Sequence, residues 1–161
     1  MCLAVRPIDP EAKIVMQAVR ATAQHLKLAV PQFTVRGADD LAGAFTTMVK
    51  QRAGALLVPN NPLLNLHAKT VAGLALKHRL LSSGNAGFPE AGGTLGYGVN
   101  FSSMYHRATV HIDKILKGAK PGDIPIERPI RFEFTVNLKT AKALGIKLPG
   151  TIMIRATKVI E

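Results

Sequence analysis

Cysteine is nearly absent from this sequence. Cys2 is the single cysteine in 161 residues, so an internal disulfide is impossible and metal sites built from paired cysteines are excluded. Its place beside Met1 is that of a lipoprotein cysteine, but no apolar h-region precedes it as a secretory leader requires. Long hydrophobic runs are missing too: none reaches the roughly 18 residues that span a bilayer. The sequence therefore shows neither a signal peptide nor a transmembrane segment. Nor is there a long polar tract, and a composition of 47% hydrophobic and 19% charged residues is that of a folded domain rather than a disordered chain. The length suits one sizeable core.

Acidic residues are the minority charge, 10 against 21 lysines and arginines, for a net charge of +11. Such an excess raises the question of nucleic acid or an anionic membrane as partner. What is lacking is clustering. Lys27, Arg36, Lys50, Arg52, Lys69, Lys77 and Arg79 stand singly, and no block of five or six like charges occurs. The densest group, Lys114, Lys117 and Lys120, falls at a helix end, where the dipole favours cations. A solvated surface is the reading, and nucleic acid is not expected as a partner.

Catalytic and cofactor motifs are absent as well. Gly96-Tyr-Gly-Val-Asn-Phe lacks the third glycine of the dinucleotide fingerprint, and nothing resembles a P-loop. His25, His67, His78, His106 and His111 are scattered, and the last two are five apart, off the i, i+4 spacing of a helical metal pair. Ser82 and Ser83 precede Gly84, yet no Gly-x-Ser-x-Gly elbow surrounds them. Glu90 and Glu127 have no evident carboxylate partner for acid and base work. No cofactor, no metal and no enzymatic activity are expected.

What is present is a repeated alternation of short apolar runs and helical periods. Cys2 to Val5 reads as a strand, with Asp9 and Pro10 as cap and first residue of a helix carrying Ile14, Val15, Ala18, Val19 and Leu26. Leu28 to Val35 is extended, and Leu41, Ala44, Phe45, Met48 and Val49 mark a second helix with Asp39 and Asp40 in its first turn. Ala55 to Val58 has the unbroken apolar pattern of a strand covered on both faces. Asn61-Pro62 then opens a third helix through Val71, Leu74, Ala75 and His78. Arg79 to Ser83 and Thr94 to Tyr97 read as further strands around a glycine-rich loop, 84–93.

Ser102 or Ser103 can cap a long helix whose Tyr105, Ala108, Ile112, Ile115 and Leu116 form one apolar stripe, ended by Gly118 and Pro121. Phe132, Phe134 and Val136 alternate with polar residues as in a half-buried strand. Asn137 caps a short helix, Leu138 to Leu144, stopped by Gly145. From Pro149, Ile152, Met153, Ala156, Val159 and Ile160 fit a terminal helix, against the β-branched preference of that run. This order predicts an α/β fold: a doubly wound, mostly parallel sheet of five or six strands with helices on both faces. Residues 1–130 form the lobe, and 131–161 a strand and helix tail that packs on it or exchanges with a partner copy.

In open parallel sheets the ligand crevice lies beyond the carboxyl ends of the strands. That rule selects the segments Arg6 to Asp9, Pro59 to Asn61, Ser82 to Glu90 and Tyr97 to Asn100. Their polar and aromatic groups Asn60, Asn85, Glu90, Tyr97 and Asn100 are the candidate ligand-binding residues.

Glu90-Ala-Gly-Gly, Tyr97-Gly-Val-Asn and above all Val110-His-Ile-Asp-Lys-Ile-Leu-Lys-Gly-Ala-Lys-Pro-Gly-Asp-Ile-Pro-Ile-Glu resemble the ABC-transporter substrate-binding family of the tryptophan/tyrosine-binding type. The tail Phe132-Glu-Phe-Thr-Val-Asn-Leu-Lys-Thr-Ala-Lys-Ala-Leu-Gly continues the resemblance, which is strongest after residue 88. It implies the periplasmic-binding type I fold, two lobes closing on an amino acid or similar small organic solute, a periplasmic location and an ABC permease as partner. The stretch present looks like the second lobe plus the C-terminal tail, with the export signal and first lobe absent. Arg6-Pro7 departs from the family's Asn-Pro, and Leu81 stands where a proline is usual, so ligand contacts at those points do not carry over. Half a cleft is expected to bind only weakly alone. The apolar residues Phe132, Phe134 and Val136 need cover, so a homodimer is expected where no other cover exists.

Overall fold

The computed structural model describes residues 2–5 and 10–161. The Arg6 to Asp9 segment, with Asp9 as helix cap, lies outside the described residues. In chain order the elements are β1 (Cys2–Val5), α1 (Pro10–His25), β2 (Gln32–Thr34), α2 (Asp39–Lys50), β3 (Ala55–Leu57), α3 (Pro62–Leu66), α4 (Ala68–Lys77), β4 (Leu81–Gly84), β5 (Leu95–Val99), α5 (Phe101–Leu116), β6 (Phe132–Asn137), α6 (Leu138–Ala143), α7 (Gly150–Arg155) and β7 (Lys158–Ile160). Two 3-10 turns, Phe88–Ala91 and Pro121–Asp123, sit between β4 and β5 and after α5.

The strands form one sheet in the order β2-β1-β3-β4-β5-β6-β7. The first five are mutually parallel, β6 runs antiparallel to β5, and β7 is parallel to β6. Successive strand residues point to opposite faces, and β3 shows what covers each. Leu56 enters the main core with Phe45 and Met48 of α2, Val71 and Ala75 of α4, and Phe88. Leu57 packs instead against Met16 of α1 and Val30. Helices thus lie on both faces, as the alternation predicts, and the five parallel strands are the doubly wound sheet.

The sheet gains a seventh strand because the terminal stretch is not one helix. Residues 150–155 are helical, but Ala156 is extended and Val159 and Ile160 belong to β7. Thr157 decides this: its N–H donates to Phe134 O at 2.8 Å, and its Oγ1 accepts from Phe134 N at 2.8 Å. Those bonds pin the chain to β6, where β-branched Val159 and Ile160 suit a strand better than a helix. The expected third helix is likewise two pieces, α3 and α4, broken at His67.

Local caps set most boundaries. Asn61 Oδ1 accepts from Leu63 N at 3.0 Å with Pro62 in the first helical position, and Gly118 and Gly145 adopt positive φ at helix ends. For α5 the cap is Asn100, not Ser102 or Ser103: Asn100 Oδ1 accepts from Ser103 N at 2.6 Å. Asn137 caps α6 as expected, accepting from Thr140 N at 2.9 Å. It also donates Nδ2 to Pro89 O at 2.9 Å, and it is buried. Asn137→Ala therefore removes a cap and one buried hydrogen bond to Pro89 O, which keeps its bond from Gly92 N, so a loss of about 2 kcal/mol is expected, read as a lower urea midpoint at unchanged slope.

Candidate functional site

Strands β3 and β4 end side by side, and Val58 N extends their pairing to Ser83 O at 2.7 Å. Pro59 has no N–H to continue a ladder, so the chain leaves the sheet there and turns into α3 through its Asn61 cap. This brings Asn60 and the first turns of α3 beside the loop that follows β4. Asn65 Nδ2 donates to Asn60 Oδ1 at 2.8 Å, and Asn85 Nδ2 donates to Asn65 Oδ1 at 2.8 Å. Asn85 Oδ1 in turn accepts from Gly87 N at 3.1 Å.

A single backbone N–H fixes the sense of this chain. Gly87 N can only donate, so the Asn85 oxygen must face it and the Asn85 amide must donate onward. Asn65 then accepts from Asn85 and donates to Asn60, whose own NH2 group is left as the terminal donor. Three amides bridge two loops at the carboxyl end of the parallel sheet, and their exposed end offers N–H groups to an acceptor. Asn60 and Asn85, both selected by the crevice rule, are brought together. Asn65, which sequence reasoning missed, is the link. The signal for it is its position four residues after the Asn61 cap, one helical turn on and so back over the same loop.

The other three candidates are placed differently. The loop after β4 crosses over β5 and turns back as the 88–91 3-10 turn, so Glu90 lies over the sheet toward its far edge. There its carboxylate meets Lys158 of β7 at 2.6 Å, three strands from β4. The hydrogen bond to Glu90, then its charge, raises the Lys158 pKa above the ordinary lysine value. Tyr97 is 61% exposed. It stacks on Phe132 with ring centroids 5.8 Å apart and meets Phe134 edge-on at 6.5 Å. Gly96 and Gly98 face the loop, so by alternation Tyr97 faces the opposite side of the sheet. Asn100 is committed twice, to Ser103 N and through Nδ2 to Glu133 Oε1.

Several motif residues take structural roles. Ser82 and Thr94 are buried and cross-linked, Ser82 N to Thr94 Oγ1 at 3.4 Å and Thr94 N to Ser82 Oγ at 3.3 Å. His78 stacks on Phe45 with centroids 6.0 Å apart. Gly96 and Gly98 serve close approach, since a Cβ at Gly96 would lie 2.5 Å from Asn85 O and one at Gly98 would lie 3.2 Å from Ala86 N. Among the described residues, no three His, Cys, Asp or Glu side chains are grouped to hold a metal, and no helix is long and apolar enough to cross a membrane.

Beyond the last β5–β6 pair, Val99 with Phe132, Asn100 N donates to Arg131 O at 3.0 Å. Residues 100–131 thus leave and re-enter the sheet through one two-stranded neck. Between α5 and the returning 127–131 segment lies a cavity of about 970 Å³, lined among others by Asn100, Ser103, Arg107, His111, Glu127 and Arg131. Arg107 pairs with Glu127 there. The hydrogen bond from Arg107 holds the Glu127 carboxyl below its ordinary range, against a smaller upward push from burial, with the charges of Arg107, His111 and Lys114 adding to the fall.

Comparison with known proteins bears on the whole chain. The family model described as "ABC transporter substrate binding protein" matches residues 3–160. Among solved structures, a conserved domain protein from Vibrio cholerae O1 biovar El Tor str. N16961 superposes with a TM-score of 0.85 at 17% identity, covering 98% of this chain and 53% of that one. An ABC domain in complex with L-Trp from Streptococcus pneumoniae gives 0.84 at 24% identity, covering 99% and 55%. The ligand-free, open structure of CD0873, a substrate binding protein with adhesive properties from Clostridium difficile, gives 0.73 at 19% identity, covering 99% and 53%. At these identities the likeness is one of fold, and the chain spans about half the length of each. No curated protein sequence matches it.

Proposed function

The chain belongs to the ABC transporter substrate-binding protein family, and from that premise we propose that it is the solute-binding lobe of an uptake system, holding an amino acid or similar small organic solute in a cleft shared with a second lobe. On this reading the loaded protein works at the outer face of the membrane and hands its cargo to an ABC permease. The observation that carries the proposal is the amide chain Asn85, Asn65, Asn60 at the carboxyl ends of β3 and β4. Its terminal NH2 is suited to a carboxylate or carbonyl oxygen, and its polarity is preset by a backbone N–H, so no reorientation is needed on binding.

A cleft lined on one side supplies part of the contacts that bury a small ligand. The chain alone is therefore expected to bind weakly, in the high micromolar range or above. A thermal-shift series with L-tryptophan, the other amino acids and small organic acids tests this, since a ligand of the native state raises stability as RT ln(1 + [L]/Kd). A concentration-dependent rise with at least one solute is expected, and a flat response to all of them at millimolar concentration overturns the proposal for this chain. Asn65→Ala removes both links at an exposed position. It is expected to weaken binding of the solute so found by about tenfold, the worth of one hydrogen bond to a charged group, while the unliganded melting temperature changes little.

A further inference from the structure

Helices α1, α2, α4, α5 and α6 end alike. In each, one residue takes positive φ, its N–H donates three residues back, and the next N–H donates five back. The pairs are Lys27 to Gln24 O with Leu28 to Ala23 O, Arg52 to Val49 O with Ala53 to Met48 O, and Arg79 to Leu76 O with Leu80 to Ala75 O. After α5 and α6, Gly118 and Gly145 fill the same position with the same bonds. Glycine is what this turn favours, because a Cβ is crowded at positive φ. After α1, α2 and α4 a cation stands there instead, at φ of 53°, 55° and 55°. Another cation precedes it by two residues in α2 and α4, Lys50 before Arg52 and Lys77 before Arg79. The helix dipole favours basic groups at a carboxyl end, but it acts equally on α5 and α6, which keep glycine.

Single in the sequence, these cations are gathered by the fold. Helices between parallel strands run back against the strand direction, so α1, α2 and α4 all end at the edge where β2, β3 and β4 begin. That edge is opposite the amide chain of Asn60, Asn65 and Asn85. Antiparallel β6 finishes there too, bringing α6 with Lys142 in its last turn; a Cβ on Gly145 would lie 4.0 Å from Arg79 Nη2. Lys27, Lys50, Arg52, Lys77, Arg79 and Lys142 are exposed, and none is ion-paired with a described residue. The carboxylates lie elsewhere. Glu11, Asp39 and Asp40 belong to the first helical turns at the other edge, Glu90 is held by Lys158, Glu133 by Asn100, and Asp113, Asp123 and Glu127 sit in residues 100–131. Among the described residues only Glu161 follows a strand that ends at the basic edge, β7 at the sheet margin.

We propose that this basic edge seats the lobe on a bilayer surface that carries anionic lipid. Charge complementarity is the first ground. The second is that exposed Leu26, Leu28, Val49 and Leu76 are interleaved with the cations, the mixture that settles into a headgroup boundary. A nucleic-acid surface would add stacking rings, and the exposed aromatics Tyr97, Phe101, Tyr105 and Phe132 belong instead to β5, α5 and β6. A lobe seated in this way turns its amide chain to solvent, free to take up solute.

Cosedimentation with lipid vesicles tests the seat. At low ionic strength the chain is expected to bind vesicles of phosphatidylcholine mixed with phosphatidylglycerol and to ignore vesicles of phosphatidylcholine alone. Release is expected at about 1 M salt, where the screening length falls to about 3 Å. Lys27→Gly/Arg52→Gly/Arg79→Gly removes three cations and gives each turn its favoured residue, so its melting temperature is expected to hold or rise. Its affinity for the mixed vesicles is expected to fall about a hundredfold, about fivefold for each cation. Arg36→Gln/Lys69→Gln/Lys120→Gln loses the same net charge away from that edge and is expected to keep most of its affinity. Equal binding to both kinds of vesicle, equal losses in the two triple variants, or tighter binding to a duplex oligonucleotide than to mixed vesicles overturns the proposal. So does a large fall in the melting temperature of the glycine variant, which would show that the cations serve the fold. Asn65→Ala is expected to leave vesicle binding unchanged, so this proposal and the solute reading fail separately.

Discussion

Gly96→Ala is expected to lower the melting temperature by roughly 6–12 °C, corresponding to about 3 kcal/mol in a chain of this size. The reason is steric and local. A Cβ at position 96 would sit 2.5 Å from Asn85 O, 2.5 Å from Pro89 Cδ and 2.9 Å from Ala86 O. Two of these are backbone carbonyl oxygens, which cannot swing aside as a side-chain tip can. Relief requires lifting the whole 85–89 segment off β5, and that movement carries Asn85 away from Asn65. The variant should therefore lose solute binding as well as stability, whereas Asn65→Ala loses binding alone. Gly98→Ala is the control on the same strand: its nearest contact, Ala86 N, is 3.2 Å away, so a shift of a few tenths of an ångström accommodates it and the change should stay within about 1 kcal/mol. Differential scanning calorimetry of the two variants side by side checks both. Equal melting temperatures would show that the loop does not ride on Gly96.

The features legible in the sequence were those set by local chemistry. The five parallel strands and the helices between them follow from period and caps, and Asn61-Pro62, Asn137, Gly118 and Gly145 each mark a boundary that the structure keeps. Strand β7 was not legible, because its register depends on Thr157 meeting Phe134 across 23 residues, while the local run Thr-Ile-Met-Ile carries no sign of where the helix gives way. The site divides in the same manner. Topology alone put Asn60 and Asn85 at the strand ends. Glu90 falls in the same glycine-rich loop after a strand end, but the second half of that loop folds back over the sheet toward Lys158. Tyr97 is a candidate because the sequence ends the strand at it, but β5 runs on to Val99 and strand parity turns Tyr97 to the face opposite the loop. Asn100, a candidate ligand group by its place at a strand end, spends its side chain on capping α5 and on Glu133. Most telling is α5 itself: its apolar stripe is plain in the sequence, but periodicity says only that a face needs cover and never which surface supplies it.

Phe45→Ala should cost about 4 kcal/mol, the middle of the range for buried phenylalanine, and lower the melting temperature by roughly 8–16 °C. Phe45 is 1% exposed and stands among Leu41, Met48, Leu56, Val71 and Ala75 in the main core, with His78 stacked on its ring. Its neighbours come from α2, β3 and α4, which other buried contacts also hold, so the space left by the ring cannot close by moving one element. The cavity term then adds to the lost transfer energy. Because position 45 lies on α2, outside both the 85–89 segment and the amide chain, the surviving folded molecules should bind solute with unchanged affinity at a temperature well below the new midpoint. That contrast with Gly96→Ala separates stability from site geometry. If Phe45→Ala weakened binding as strongly as Gly96→Ala, the site would have to be read as coupled to the whole core rather than to the loop that carries Asn85.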